Sequence, residues 1–251
     1  MIKFFRHIRK QLLSENKTRP NDSVGRAGKY LKYAIGEILL VIIGILIAVS
    51  INGWNEDRKL KNAEQSILKD LKQEMIINLK ALEFVISENE KSFEAAIEMR
   101  TLFKDRATFD KMSDSLFFVL IRKMNRNFTY DPKNGILNSI ISSGQINQLS
   151  NKELKYLLAS LKELTTDAME NTLKIERQRD DLMKSAWTNA MIIKDGKNLG
   201  YNVKSIYEHP EFRWATEHLF YSQRKDGLPE EKELTATLEH IIELINENIN
   251  K

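Results

Sequence analysis

No cysteine occurs in the 251 residues. That excludes disulfides, thiolate zinc sites, iron–sulfur clusters and a cysteine nucleophile, and it leaves the compartment open. Proline is nearly as scarce, with four residues, while 29% of the chain is charged. Few breakers and many charges are the composition of long solvated helices. No useful stretch alternates apolar and polar residues as a half-buried strand would. The expected fold class is therefore all-α.

Catalytic signatures are missing too. The four histidines, His7, His209, His218 and His240, form no pair three or four residues apart, so no helical metal site is spelled out. There is no nucleophile elbow, no Gly-rich dinucleotide loop and no pair of Glu-x-x-His units. "KDGKNLGYN" lacks the spacing of a phosphate-binding loop and reads as a turn region. The expectation is a protein that is not an enzyme, with no catalytic residue, no cofactor and no metal.

Acid is scarce at the N-terminal end. Residues 1–33 hold nine Lys/Arg against Glu15 and Asp22, whereas the remainder holds 30 Lys/Arg against 33 Asp/Glu. The basic balance belongs to this arm, so nucleic-acid binding by the rest has no electrostatic support. "MIKFFRHIRKQLL" puts Ile2, Phe5, Ile8 and Leu12 on one helical face, with its cations mostly elsewhere. That is the pattern of a basic amphipathic helix on a lipid surface. Packing on a cytoplasmic partner is the alternative. The polar stretch after it, with Pro20 and Gly25, reads as a link, so 1–29 forms an arm.

What is present is one strongly apolar run. Ile38 to Ile51 holds no charge, and Ser50 is its one hydroxyl. Tyr33 to Trp54 is about 22 residues, or roughly 33 Å of helix, close to the ~30 Å of a hydrocarbon core. Tyr30, Tyr33 and Trp54 bracket it as interfacial anchors. Glu37 falls at the rim, where it reaches headgroups or pairs with Lys29 or Lys32; a carboxylate at the centre would be costly. A membrane helix is therefore expected over 30–55. A cleaved leader competes, since Ala48-Val49-Ser50 is a permissive site, but its basic region would be about 35 residues long. The Lys/Arg bias keeps the N-terminus in the cytoplasm, and in a bacterial inner membrane the following domain is periplasmic. Gly36, Gly44 and Ala48 fall on one stripe that would let two membrane helices approach closely, in a homodimer or against other membrane subunits.

The rest, 56–251, reads as an extracytoplasmic bundle of long helices continuing the membrane helix. Leu68, Leu71, Met75, Leu79, Leu82, Ile86, Phe93 and Ile97 recur with a period of about 11 residues, Glu90 being a gap. Asp110 or Ser113 caps a helix containing Phe117 and Ile121. Ser150 and Glu153 form a capping box for a long helix, a coiled-coil-like pattern with Leu154, Leu161, Ala168, Ile175 and Leu182 at every seventh position. The companion positions, Leu157, Leu164, Asn171, Gln178 and Ser185, turn polar halfway. A helix over 211–224 and a last one from Glu230, after "DGLP", complete the expected set.

Two motifs carry a family resemblance: Tyr33-Ala34-Ile35-Gly36-Glu37-Ile38, and Asn52-Gly53-Trp54-Asn55-Glu56. With the basic opening helix and "TYDPKNGILNSIISSGQINQLSNKELKYLL", the chain resembles an uncharacterised single-pass membrane family common in the Bacteroidota. Gly53 stands where that family usually has a second Asn, and the link over 18–28 is longer. The resemblance implies a single-pass membrane protein with a helical extracytoplasmic domain and no established activity. Two functions fit: a scaffold or sensor-like module, or an accessory subunit of an envelope transport or secretion complex.

Overall fold

A computed structural model of the chain describes residues 23–249. The amphipathic face read over residues 2–12 lies outside them. So do the side chains of Tyr30, Tyr33, Lys29 and Lys32.

Helix α1 runs Ser23–Lys104, without an internal proline. The chain divides into two compact units, Met1–Lys59 and Leu60–Lys251. In the first, α1 is long and apolar enough to cross a membrane; its most apolar window has mean hydropathy 2.8 and none of it is buried. Ile38, Leu40, Leu46 and Ile51 are each 55–60% exposed. Burying such a side chain is worth about 1.5–3 kcal/mol. About a dozen of them left in water would forfeit more than the ~5–15 kcal/mol that holds a whole domain together. Ser50 removes its hydroxyl from this balance by donating to the Leu46 carbonyl at 2.8 Å.

The second unit is all-helical apart from one hairpin. Short α2 (Arg106–Lys111) is capped by Asp105, and α3 (Asp114–Met124) by Ser113, whose hydroxyl accepts from the Leu116 amide. After α4 (Gly135–Ser142) come α5 (Lys152–Ala168) and α6 (Glu170–Ala190). Then come the antiparallel strands β1 (Met191–Lys194) and β2 (Lys197–Tyr201). Helix α7 (Pro210–Ala215) passes through a π-helical stretch, Thr216–Gln223, into α8 (Arg224–Asn248).

Burial along α1 corrects the expected 11-residue period. The buried positions include Leu68, Met75, Leu82, Asn89 and Ala96, with Leu71, Asn78, Val85, Ser92 and Met99 between them, and Ile67, Glu74, Ile86, Ala95 and Leu102 beside these rows. This is a seven-residue recurrence, as in left-handed helix packing. Counting apolar residues alone hid it, because Asn78, Asn89 and Ser92 hold seam positions. Ile97 is 43% exposed.

The seam of α5 and α6 is corrected likewise. Leu154, Leu161, Ala168 and Ile175 are buried as expected, but the companion row is Leu158, Thr172 and Ala186, one residue beyond the expected one. Leu164 is exposed, and Met183 is buried where Leu182 is expected to be. The helix also breaks at Met169. Its N-cap is Asn151, which accepts from the Leu154 amide, so the expected box at Ser150 does not form. Glu153 is drawn instead to His240 of α8, at 2.9 Å.

Two turn signals behave differently from expectation. "KDGKNLGYN" forms the hairpin, because Asp195 and Gly196 both take positive φ (51° and 72°), which matches the twist of two paired strands. "DGLP" lies inside α8. Gly227 is there for close packing: a Cβ would stand 2.8 Å from Asn171 Cβ. Pro229 removes one helical bond, in a turn where Lys225 and Asp226 are exposed to water.

The core forms two clusters. Leu68, Leu82, Leu154, Leu161, Leu238 and Ile245 belong to the first. Small Ala95 and Ala96 of α1 leave room for Phe109, Phe117, Phe212 and Phe220 in the second. There the Tyr207 ring stacks on Phe109 at 3.7 Å, and its hydroxyl donates to the Leu102 carbonyl near the end of α1.

Candidate functional site

The polar seam residues dock the irregular chain between α3 and α5. The Glu74 carboxylate accepts from the Ile136 and Leu137 amides at 2.7 and 2.9 Å, capping α4, whose own N-cap Asn134 makes no such bond. Asn78 pairs both ways with Lys133, donating to its carbonyl and accepting from its amide at 2.8 Å each. Asn89 does the same with Phe128 at 3.1 Å. Ser92 donates to the Met124 carbonyl at 2.6 Å.

Asn89 also belongs to a buried polar layer, with Thr172, Arg224 and Glu231. All four are 0–1% exposed. Arg224 Nη1 donates to the Thr172 hydroxyl at 2.9 Å, and that hydroxyl donates to Glu231 Oε1 at 2.5 Å. Asn89 Nδ2 reaches Glu231 at 3.4 Å, and Arg224 Nη2 donates to Asn127 Oδ1. Burial pushes Arg224 down to about 10, against the pull of the Glu231 charge, so it stays protonated at neutral pH. Burial likewise raises the Glu231 carboxyl, opposed by the Thr172 hydrogen bond and the Arg224 charge. Thr172 is thus the relay between two ions that each lose hydration. Sequence reading missed it by taking Asn171 as the seam residue.

Beside this layer a cleft of about 630 Å³ opens between α3, the segment after it and α6. Arg122, Lys123, Arg126 and Arg179 line it, with Asp180 as its one acidic wall residue. Arg126 pairs with Glu88 at 3.2 Å, and Arg179 pairs with Glu176 and Asp180 at 3.3 and 3.1 Å. Asn127 joins the cleft to the layer behind it: it accepts from Arg224 and donates to Glu176. No His, Ser, Thr or Tyr is among the residues that line this cleft.

The residues singled out in the sequence belong to the first unit. Glu37 is exposed. A Cβ at Gly36 or Gly44 would meet nothing within 4 Å, and Ala48 is exposed, so the single chain leaves this stripe uncovered. Trp54 is 67% exposed, with the Arg58 guanidinium 6.0 Å from its ring centroid. The three described histidines are scattered: His209 bonds Asn189, His218 lies on Trp214, and His240 meets Glu153. Among the described residues no three His, Asp or Glu side chains gather as a metal site.

Residues 37–181 match DUF6090, a family of unknown function. The chain belongs to that family. The matched stretch takes in the uncovered apolar run and every residue of the cleft wall, while Arg224 and Glu231 lie beyond it. No curated protein and no solved structure matches the chain.

Proposed function

We propose that this DUF6090 protein is a single-pass inner-membrane protein whose helical domain lies in the periplasm and acts as a non-enzymatic scaffold or sensor-like module. The carrying observation is the run over 34–51, apolar throughout except for Glu37 and Ser50, with none of its large side chains covered by protein. Lipid is the partner that removes its cost. The charge bias before Tyr33 sets the direction. The bundle contributes packed helices and a cleft, and some of its charged groups, Glu88, Arg126 and Arg179 among them, are held in ion pairs.

A second reading, an accessory subunit of a larger envelope transport or secretion complex, has one observation in its favour. Ile193 and Leu199 of the hairpin are 63% and 61% exposed, next to the edge-to-face series Phe118, Trp187 and Tyr201. Exposed apolar patches of this kind mark contact surfaces.

A reporter active only in the periplasm should work when fused after Lys251 and fail when fused after Arg26. The opposite pattern would sink the orientation. Native mass in detergent separates the two readings: a homo-oligomer favours the module, and co-purifying foreign subunits favour the complex.

A further inference from the structure

We propose that the cleft between α3 and α6 is a binding site for a small organic oxyanion of at least two negative charges, such as a phosphate monoester or a polycarboxylate. The argument is independent of where the domain sits in the cell. The volume, about 630 Å³, is that of a small-molecule site.

Its charge is out of keeping with the surroundings. From residue 34 onward acidic residues outnumber basic ones, 33 to 30, yet four cationic side chains line this cleft with Asp180 alone as an acidic wall residue, Glu88 and Glu176 pairing with two of them from outside the wall. Two of the four have carboxylate partners. Arg122 and Lys123 have none among the described residues and are exposed at the mouth. Both sit in the last turn of α3, where a cation offsets the helix pole. That effect accounts for one charge about as well as for two, and falls off within the turn. It does not explain Arg126 and Arg179, which come from other segments and face the same space. Behind the wall, Arg224 is buried and charged, and holds the Asn127 amide from the rear.

One observation points beyond a bare inorganic ion. Val119 and Phe128 give the wall an apolar side, Val119 being 47% exposed. An oxyanion with a short organic body meets both features at once: guanidinium contacts for the charge and carbon against Val119.

The test uses the full chain in a zwitterionic detergent with a physiological chloride background, which screens loose binding by the basic arm. Titration calorimetry with inorganic phosphate, glycerol phosphate and citrate should show one saturable site for the organic anions and none for glycerol. The Arg122→Gln/Lys123→Gln double variant should weaken it about tenfold or more. A Lys152→Gln/Lys162→Gln variant removes the same charge from an exposed face of α5 and should bind like the parent. In the parent, citrate should also slow amide exchange over 122–128, a readout that needs no variant. The proposal is overturned if no anion saturates above the chloride background, if the double variant binds like the parent, or if the α5 variant loses as much.

Discussion

Gly227 of α8 lies so close to Asn171 of α6 that a methyl group on it would stand 2.8 Å from the Asn171 Cβ. On an open helix Gly→Ala stabilises by about 1 kcal/mol. Here overpacking opposes it with about 1–3 kcal/mol. Gly227→Ala should therefore lower the urea midpoint. Asn171→Ala keeps the offending Cβ and should not restore it, whereas Asn171→Gly should restore part. A raised midpoint for Gly227→Ala would mean that the two helices separate freely.

Arg224 and Glu231 meet through the buried Thr172 hydroxyl. Arg224→Met leaves the carboxyl buried and uncompensated, which costs about 3–5 kcal/mol near neutral pH. The raised Glu231 pKa sets the sign of the pH dependence. Stability linked to it is complete below the ordinary value of 4.5 and is lost as pH rises through the higher folded value. The variant's deficit should thus shrink as pH falls toward about 5, read by denaturant unfolding at several pH values. A deficit that stays constant across that range would contradict the coupling.

Asn89 and Asn78 each hold one backbone N–H and one C=O of the opposing segment. Truncation to Ala leaves both groups unpaired, about 1–3 kcal/mol for each that water does not reach. Hydrogen exchange should report it locally, with the Phe128 amide losing protection in Asn89→Ala and the Lys133 amide in Asn78→Ala. Asn89→Asp should cost more than Asn89→Ala, since it sets a second carboxylate beside Glu231. A smaller cost for the Asp variant would argue against the buried layer.

The stripe of Gly36, Gly44 and Ala48 is left open by the single chain. If two copies close over it, Gly44→Leu should reduce self-association in a membrane two-hybrid assay, and Ile43→Leu on another face should not. Unchanged association in both would assign the small residues to ordinary membrane composition.

The helical class and the uncovered run were legible because each is written locally. The gap-free span from Ile38 to Ile51 needs no partner to be recognised, and neither does the long helix up to Lys104, which has no proline within it. Ser113 as a cap follows from its own neighbours. Asn89, Thr172, Arg224 and Glu231 were not legible. A polar residue in a seam looks like an interruption until the group that satisfies it is known, and the partners of Asn89 lie 39 and 142 positions away.

The sequence by itself determined the helical class and the apolar run, since these depend on spacing along one helix. Tertiary structure decided which residues sit in the seam. It shifted the companion row from Asn171 to Thr172, took "DGLP" into a helix because Gly227 had to let α6 approach, and drew Glu153 from its own cap to His240. It also assembled the cleft, bringing Arg179 of α6 to the local cluster Arg122, Lys123 and Arg126. Those choices depend on which groups share a desolvated space, and a desolvated polar group is stable only beside a partner that the fold itself brings to it.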